Sequence, residues 1–211
     1  TPNHDGDGQF KVLQAHFAGF DNVHIVVNPK VIQTECVDIA VLPGFDRGVY
    51  RAKFPGLGKE EENEVFSQEL GKIVIGLRTQ CREDRPAIFM AHYTVPGCNM
   101  ESGQSQLLTQ FEPIVPAESL DAAAYDLVAL GHIHRPQMVS GFDNVYYSGS
   151  INANNFGDEG QERGFWIHYA EPGAFGKPGT VFTDSDFVKT PYREFITYLS
   201  LIHISEPTRR S

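Results

Sequence analysis

Three histidines each follow a short apolar run that is long enough for a buried strand but too short for a helix. His92 ends "IFMAH", and His132 and His134 lie in "GHIH" after "DLVAL". Open α/β sheets place their sites at the carboxyl ends of strands, so these imidazoles are candidates for a shared site. If the backbone here is extended, residues 132 and 134 point to the same side, and Gly131 permits a tight turn before them. Imidazole is a common ligand of zinc, iron and manganese.

A further polar cluster stands near the first residue, in "TPNHDG", where Asn3, His4 and Asp5 are adjacent. A lone His92 is more often a structural histidine than a ligand, and an H-x-H pair alone is a weak signal. The order "NHD", strand-then-His, strand-then-"GHIH" along one chain is much rarer, and it predicts a metal centre. Oxygen ligands from Asn or Asp shift the preference toward harder metals.

The surrounding elements alternate between helix and strand in the first part of the chain, which predicts an α/β fold with layered sheets. Helices are predicted near 10–17 and within 60–81, where Phe66, Leu70, Ile73 and Leu77 form one face, and 118–126 tolerates a helix. After residue 136, short β-type runs alternate with turns. The predicted strands are 23–27, 37–42, 87–91, 127–130, 145–147, 165–169, 181–183, 187–189 and 195–198.

The polar motifs together resemble those of the calcineurin-like metallophosphoesterases, D-x-H, G-D, G-N-H-D, H and G-H-x-H. The last three are present as "PNHD", "AHYTV" and "GHIH", with Pro2 where the family has Gly. The resemblance implies a layered β-sandwich with sheets flanked by helices, here incomplete at the N-terminus. The first two motifs would lie upstream of Thr1, so we expect the 211-residue chain alone to have little or no activity.

The resemblance also implies a role for each matching residue. Asn3, His92 and His132 match ligands of one metal ion, and His134 matches a ligand of a second. His4 matches the histidine that faces the scissile phosphate, and Asp5 matches its orienting carboxylate; the alternative for Asp5 is a turn residue. The implied hydrolase mechanism uses two divalent ions, for which we expect manganese, to activate a water molecule.

A longer match, "ALGHIHRPQ", "VYYSGSINANNFGDEGQERGFW" and "TPYREFITY", resembles the SbcD-type exonucleases of DNA repair and recombination. Asp158 stands where that pattern has Glu, and Arg163 where it has Lys. The resemblance implies DNA as substrate and the SMC-like ATPase SbcC as partner, and it leaves a homodimer open. We expect a nuclease domain over 1–190 and the start of a capping domain over 191–198. We interpret 199–211, which includes His203, as a non-native, adapter-derived tail.

Charge and composition disfavour some classes of function and location. The net charge of −10 disfavours nucleic-acid binding through a basic surface, but not through bound cations. Three widely spaced cysteines and the lack of a long apolar run predict a cytoplasmic protein without a membrane segment. Two other functions stay open: a phosphoesterase for a small nucleotide or phosphoprotein, and a non-catalytic scaffold of the same fold that binds a partner.

Overall fold

The structure is a computed structural model, and it describes residues 7–44, 52, 54–99, 115–116, 119, 125–169 and 184–197. Some predictions fall outside these ranges: the strand at 181–183, most of the helix-tolerant stretch 118–126, and the tail from 199. The described residues form two helices, eight strands and one 3-10 turn. The helices are α1 (Asp7–Phe17) and α2 (Lys59–Arg78). The strands are β1 (Lys30–Gln33), β2 (Asp38–Leu42), β3 (Ala87–His92), β4 (Leu127–Gly131), β5 (Gln137–Met138), β6 (Val145–Tyr147), β7 (Gly164–Tyr169) and β8 (Asp184–Lys189).

Six of the strands form one mixed sheet in the order β1-β2-β3-β4-β6-β5. The four central strands β2, β3, β4 and β6 run parallel, and the edge strands β1 and β5 are antiparallel to their neighbours. The helix α2 lies in the connection between β2 and β3, as the crossover between two parallel strands requires. The mixed sheet with its crossover helix confirms the predicted α/β class.

One face of α2 packs against the sheet and closes the core. Acidic residues occupy its first turn, where they favour the positive end of the helix dipole. Phe66, Leu70 and Leu77 of the predicted face are buried, together with Val74, while Ile73 is only partly buried. The buried stripe therefore follows the helical period, shifted slightly toward Val74.

The second sheet pairs β7 with β8 in antiparallel register and contacts the first through Trp166. The Trp166 indole N–H donates to the carbonyl oxygen of Tyr147 at 3.1 Å, and its ring lies 5.2 Å from that of Tyr146. The described residues thus form two separate sheets that contact each other at Trp166.

Two of the predicted strands are wrong. Residues 23–27 and 195–197 have no strand structure. In the first segment the carbonyl oxygen of Ile25 accepts a hydrogen bond from the Gln14 side chain at 3.1 Å, and Val26 lines a cleft. A β-branched run has strand propensity, but the propensity does not supply a neighbouring strand to bond with.

Candidate functional site

The site forms where the parallel strands β3 and β4 end side by side. His92 is the last residue of β3 and is paired in register with Gly131, the last residue of β4. The imidazole rings of His92 and His132 lie 5.2 Å apart between centroids, at an interplanar angle of 75°. Two residues that are far apart in sequence are thereby brought into contact.

Gly131 has a steric role that the sequence did not reveal. It does not adopt a left-handed backbone, contrary to the expectation of a tight turn at this glycine. A Cβ atom at this position would lie 2.8 Å from Nδ1 of His92, which is closer than real contacts allow. The residue is therefore glycine because the His92 ring packs directly on its backbone.

His132 carries the unusual backbone instead. Its φ of +95° is the one positive φ among the non-glycine residues that the structure describes. Such conformations cost roughly 1–3 kcal/mol and persist where the surroundings enforce them. The segment after Gly131 bends rather than continuing extended, so the expectation that alternation puts His132 and His134 on the same side does not apply.

His134 lies beyond the bend, against the loop that contains Asp158. Its Nδ1 is 3.8 Å from Oδ1 of Asp158, and its side chain is 31% exposed. Its carbonyl oxygen accepts hydrogen bonds from the backbone N–H of Ser150 at 3.0 Å and from the Arg163 guanidinium at 2.5 Å. Gly149 makes this approach sterically feasible, because a Cβ there would meet Pro136 and the His134 carbonyl within 2.9 Å.

Tyr147 fixes the chain that leaves His92. Its buried hydroxyl accepts the backbone N–H of Val95 at 2.9 Å and donates to the carbonyl oxygen of Tyr93 at 2.8 Å. Burial raises the pKa of Tyr147 far above its usual range, so the group remains a neutral hydroxyl that can donate. The segment after β3 is thus tied to β6, two strands away in the sheet.

A cleft of about 460 Å³ opens above the carboxyl ends of β2, β3 and β4. Its walls are mostly apolar, with Phe10 of α1 on one side, and His92 and Ser148 are among its polar residues. Clefts with few, localised polar groups are typical of binding sites. The position agrees with the rule that open α/β sheets bind ligands at the carboxyl ends of their strands.

The predicted site residues fall into two groups. The structure brings His92 and His132 together and places His134 two residues further along, beside Asp158. Asn3, His4 and Asp5 lie outside the described residues. Within the described part of the chain, no three His, Cys, Asp or Glu side chains are grouped as a metal site.

Sequence reasoning assigned no role to Asp158, Arg163 or Tyr147, although all three support the histidines. Asp158 and Arg163 are the buried members of a loop that is otherwise polar and exposed in character. The sequence signals for Asp158 and Arg163 were their opposite charges in "FGDEGQERGF" and their positions in the SbcD-type pattern. Nothing in that pattern distinguishes a buried ion pair from a solvated turn.

Comparison with known proteins gives an informative similarity. No family model matches the chain. Over 99 residues, 46% of its length, the chain is 36% identical to the SbcD component of the nuclease SbcCD from Bacillus subtilis (strain 168). The matched region is 25% of that relative, so the chain spans only about a quarter of its length. The chain is thus similar to SbcD over part of its sequence.

The structure adds one further negative finding. Of the helices in the described ranges, none has both the length and the apolar character needed to cross a bilayer.

Proposed function

We propose that the chain is part of a metallophosphoesterase nuclease that hydrolyses phosphodiester bonds of DNA with two divalent metal ions, manganese in the first instance. The observation that carries the proposal is the contact between His92 and His132 at neighbouring strand ends. The similarity to the SbcD component of a bacterial nuclease supports it independently. We propose exonuclease action on DNA ends as the specific form of this activity.

The proposed ligands are Asn3, His92 and His132 for one ion and His134 for the other. Two imidazoles 5.2 Å apart fit a metal site, because neutral ring nitrogens are good ligands for manganese, iron and zinc. When bound, such a pair of ions polarises a phosphate and makes a neighbouring water molecule more acidic. The remaining oxygen ligands would come from outside the described residues.

We assign the proton chemistry to His4 and Asp5. In this assignment the Asp5 carboxylate would accept a hydrogen bond from one ring nitrogen of His4, which would fix the tautomer and favour the imidazolium form. The other ring nitrogen then stabilises the negative charge on the phosphate oxygens or protonates the leaving oxygen. This arrangement requires no covalent intermediate.

The similarity to SbcD also supports a proposal for the domains and the partner of this protein. We propose the nuclease domain over 1–190, followed at 191–198 by the start of a capping domain. The relative is a component of a nuclease named SbcCD, which supports an SbcC-type ATPase as partner. The chain contains no G-x-x-x-x-G-K-[ST] motif, so ATP hydrolysis in such a complex would belong to that partner.

Metal titration tests the ligand assignment. We expect the longest product of the same gene to bind Mn²⁺ in calorimetry, and His132→Ala to weaken the affinity at least 10–100-fold, because even outer partners of a ligand have effects of roughly this size. His4→Ala should leave the affinity unchanged, since His4 is assigned to the phosphate. The matched control is His16→Ala, an exposed histidine on α1.

DNA cleavage tests the chemistry, with an end-labelled duplex and the longest product of the same gene. His4→Ala should lower turnover by about 10²–10⁴, the usual contribution of a positioned acid–base group. An unchanged turnover in His4→Ala would exclude the proposed role of His4. Equal Mn²⁺ affinity in His132→Ala and the parent would exclude the metal site itself.

A further inference from the structure

A buried ion pair lies directly behind His134. The side chains of Asp158 and Arg163 are both 0% exposed, and Arg163 Nη2 lies 2.8 Å from Asp158 Oδ1. Removing two charges from water is costly, and well-packed apolar residues are often at least as stabilising as such a pair. The ion pair is therefore not explained by a gain in stability. Its contacts with neighbouring residues indicate its role.

The guanidinium of Arg163 holds the backbone of the histidine segment. Its Nη1 donates to the carbonyl oxygen of His134 at 2.5 Å and to the hydroxyl of Ser150 at 2.8 Å. The backbone N–H of Ser150 donates to the same His134 carbonyl oxygen. The position of the His134 backbone is thus fixed relative to the guanidinium, and through it to Asp158.

The carboxylate of Asp158 has one oxygen anchored to its own loop and one facing His134. Oδ2 accepts the backbone N–H of Asn154 at 2.8 Å. Oδ1 lies 3.8 Å from Nδ1 of His134. Both of these facing atoms are buried; Nδ1 makes no hydrogen bond, and the charged neighbour of Oδ1 is Arg163 Nη2 at 2.8 Å.

A buried ring nitrogen without a hydrogen bond is rare, and the carboxylate oxygen beside it can accept a second contact in addition to the one from Arg163. A separation of 3.8 Å is too long for a hydrogen bond, and a shift of about 1 Å would close it. The contact is favourable only if Nδ1 carries the proton, because a carboxylate oxygen can accept but not donate. The partly exposed side of the ring then bears Nε2 with its lone pair.

We propose that Asp158, held by Arg163, is the positioning residue of His134: it accepts a hydrogen bond from the protonated Nδ1, fixes the ring orientation and leaves Nε2 free to bind a cation. Carboxylates behind histidine ligands commonly act in this way, and they strengthen the bond to the metal. Cation binding by Nε2 rests on the proposed function, whereas the tautomer and the ring orientation of His134 do not depend on it.

The test measures the tautomer in the metal-free, 15N-labelled chain, in alkaline buffer at a pH where the ring nitrogen shifts no longer change with pH. The ring nitrogen shifts of His134 should report an Nδ1–H tautomer in the parent. A parent with the proton on Nε2 would overturn the proposal whatever the variants show.

The variant replaces the whole pair, Asp158→Ala together with Arg163→Met, so that no buried charge is left without a partner. His134 should then move toward the Nε2–H tautomer, because Nδ1 loses its acceptor. The matched control is Asp38→Ala together with Arg82→Met. It removes another ion pair with a fully buried aspartate, at the start of β2 and away from the strand ends that carry the histidines. It should leave the tautomer of His134 unchanged. A retained Nδ1–H tautomer in the Asp158 and Arg163 variant, or an equal change in the control, would refute the positioning role.

Mn²⁺ titration of the longest product of the same gene, with and without these substitutions, separates this proposal from the proposed function. The Asp158 and Arg163 variant should bind Mn²⁺ about 10–100-fold more weakly than the parent, and the control should bind normally. An Nδ1–H tautomer in the parent chain, together with no Mn²⁺ binding by the longest product of the same gene, would uphold the positioning of His134 and overturn the metal site.

Discussion

At the scale of single residues, His92 and Gly131 depend on each other although they are far apart in sequence. The ring of one occupies the space where the other would have a side chain. A histidine that packs on a backbone in this way loses rotamer freedom before any ligand arrives. Such preorganisation lowers the entropic cost of binding.

We therefore expect Gly131→Ala to damage the site more than the fold. The new methyl group would displace the His92 ring from its contact with His132 and lower Mn²⁺ affinity by roughly 10-fold or more, by analogy with other disturbed ligand positions. Calorimetric titration and urea unfolding of the same preparation measure the two effects.

Gly76→Ala is the control for this change, because no atom lies within 4 Å of a Cβ built at that position in α2. Alanine in a helix interior should stabilise the protein by up to about 1 kcal/mol and leave Mn²⁺ affinity unaltered. Normal Mn²⁺ binding by Gly131→Ala would show that the contact between the rings does not matter for the site.

At the scale of elements, the end of α2 is joined to the start of β2 by Asp38 and Arg82. The buried Asp38 carboxylate accepts the backbone N–H of Arg82 at 2.7 Å and pairs with its guanidinium, which also donates to the Thr34 carbonyl oxygen at 2.6 Å. Hydrogen bonds and charge from Arg82 hold the pKa of Asp38 below its ordinary value, even though burial acts in the opposite direction.

This shift sets the pH dependence of Asp38→Asn. A carboxyl whose folded pKa is depressed stabilises the protein above its unfolded pKa, near 3.8, and loses that contribution as the pH falls through the folded value. The variant should thus be less stable than the parent at neutral pH by about 2 kcal/mol, the scale of a hydrogen bond to a charged group. The difference should shrink below pH 3.8.

Urea unfolding at neutral and acid pH measures the difference, with Asp84→Asn as the control. Asp84 pairs with Arg85 at 3.7 Å, but its side chain is 73% exposed, so its removal should change stability little at either pH. A stability difference for Asp38→Asn that persists undiminished in acid would mean that the ion pair is not its source.

The elements were predictable from sequence where local pattern and tertiary packing agree. The strands before His92 and His132 and the helix α2 were found because short apolar runs and a 3.6-residue period are direct consequences of burial. The segment 23–27 was wrongly predicted as a strand, because strand formation depends on a partner strand that local sequence does not specify. The edge strand β5 has two residues and leaves no recognisable period.

The candidate site was predictable in its histidines but not in their surroundings. His92 and His132 were recognisable as candidate ligands at strand ends. The bend at His132, the packing of His92 on Gly131 and the ion pair behind His134 depend on contacts between segments far apart in sequence. Those contacts have no periodic signature, so only coordinates reveal them.

At the scale of the whole molecule, the two sheets are connected through the single tryptophan of the chain. Trp166 donates to Tyr147, which belongs to the parallel sheet and also fixes the segment after His92. Trp166 thus lies in the contact between the two sheets, and hydrogen bonds through Tyr147 link it to the segment that follows His92.

We accordingly expect the two sheets to unfold together. In urea, the fluorescence of Trp166, which reports the contact between the layers, and far-UV circular dichroism, which reports both sheets, should give the same midpoint. Tyr169→Phe, on the exposed outer face of β7, serves as the control and should shift both midpoints by the same small amount. A fluorescence transition that precedes the dichroism change would show that β7 and β8 separate first.

The pair of Asp158 and Arg163 also constrains how this protein can evolve. Losing either member alone leaves a buried charge uncompensated, so most single substitutions at 158 or 163 pass through an unstable intermediate. We therefore expect substitutions at the two positions to occur together. The summed length of the acidic and basic side chains should vary less among related proteins than the identity of either residue.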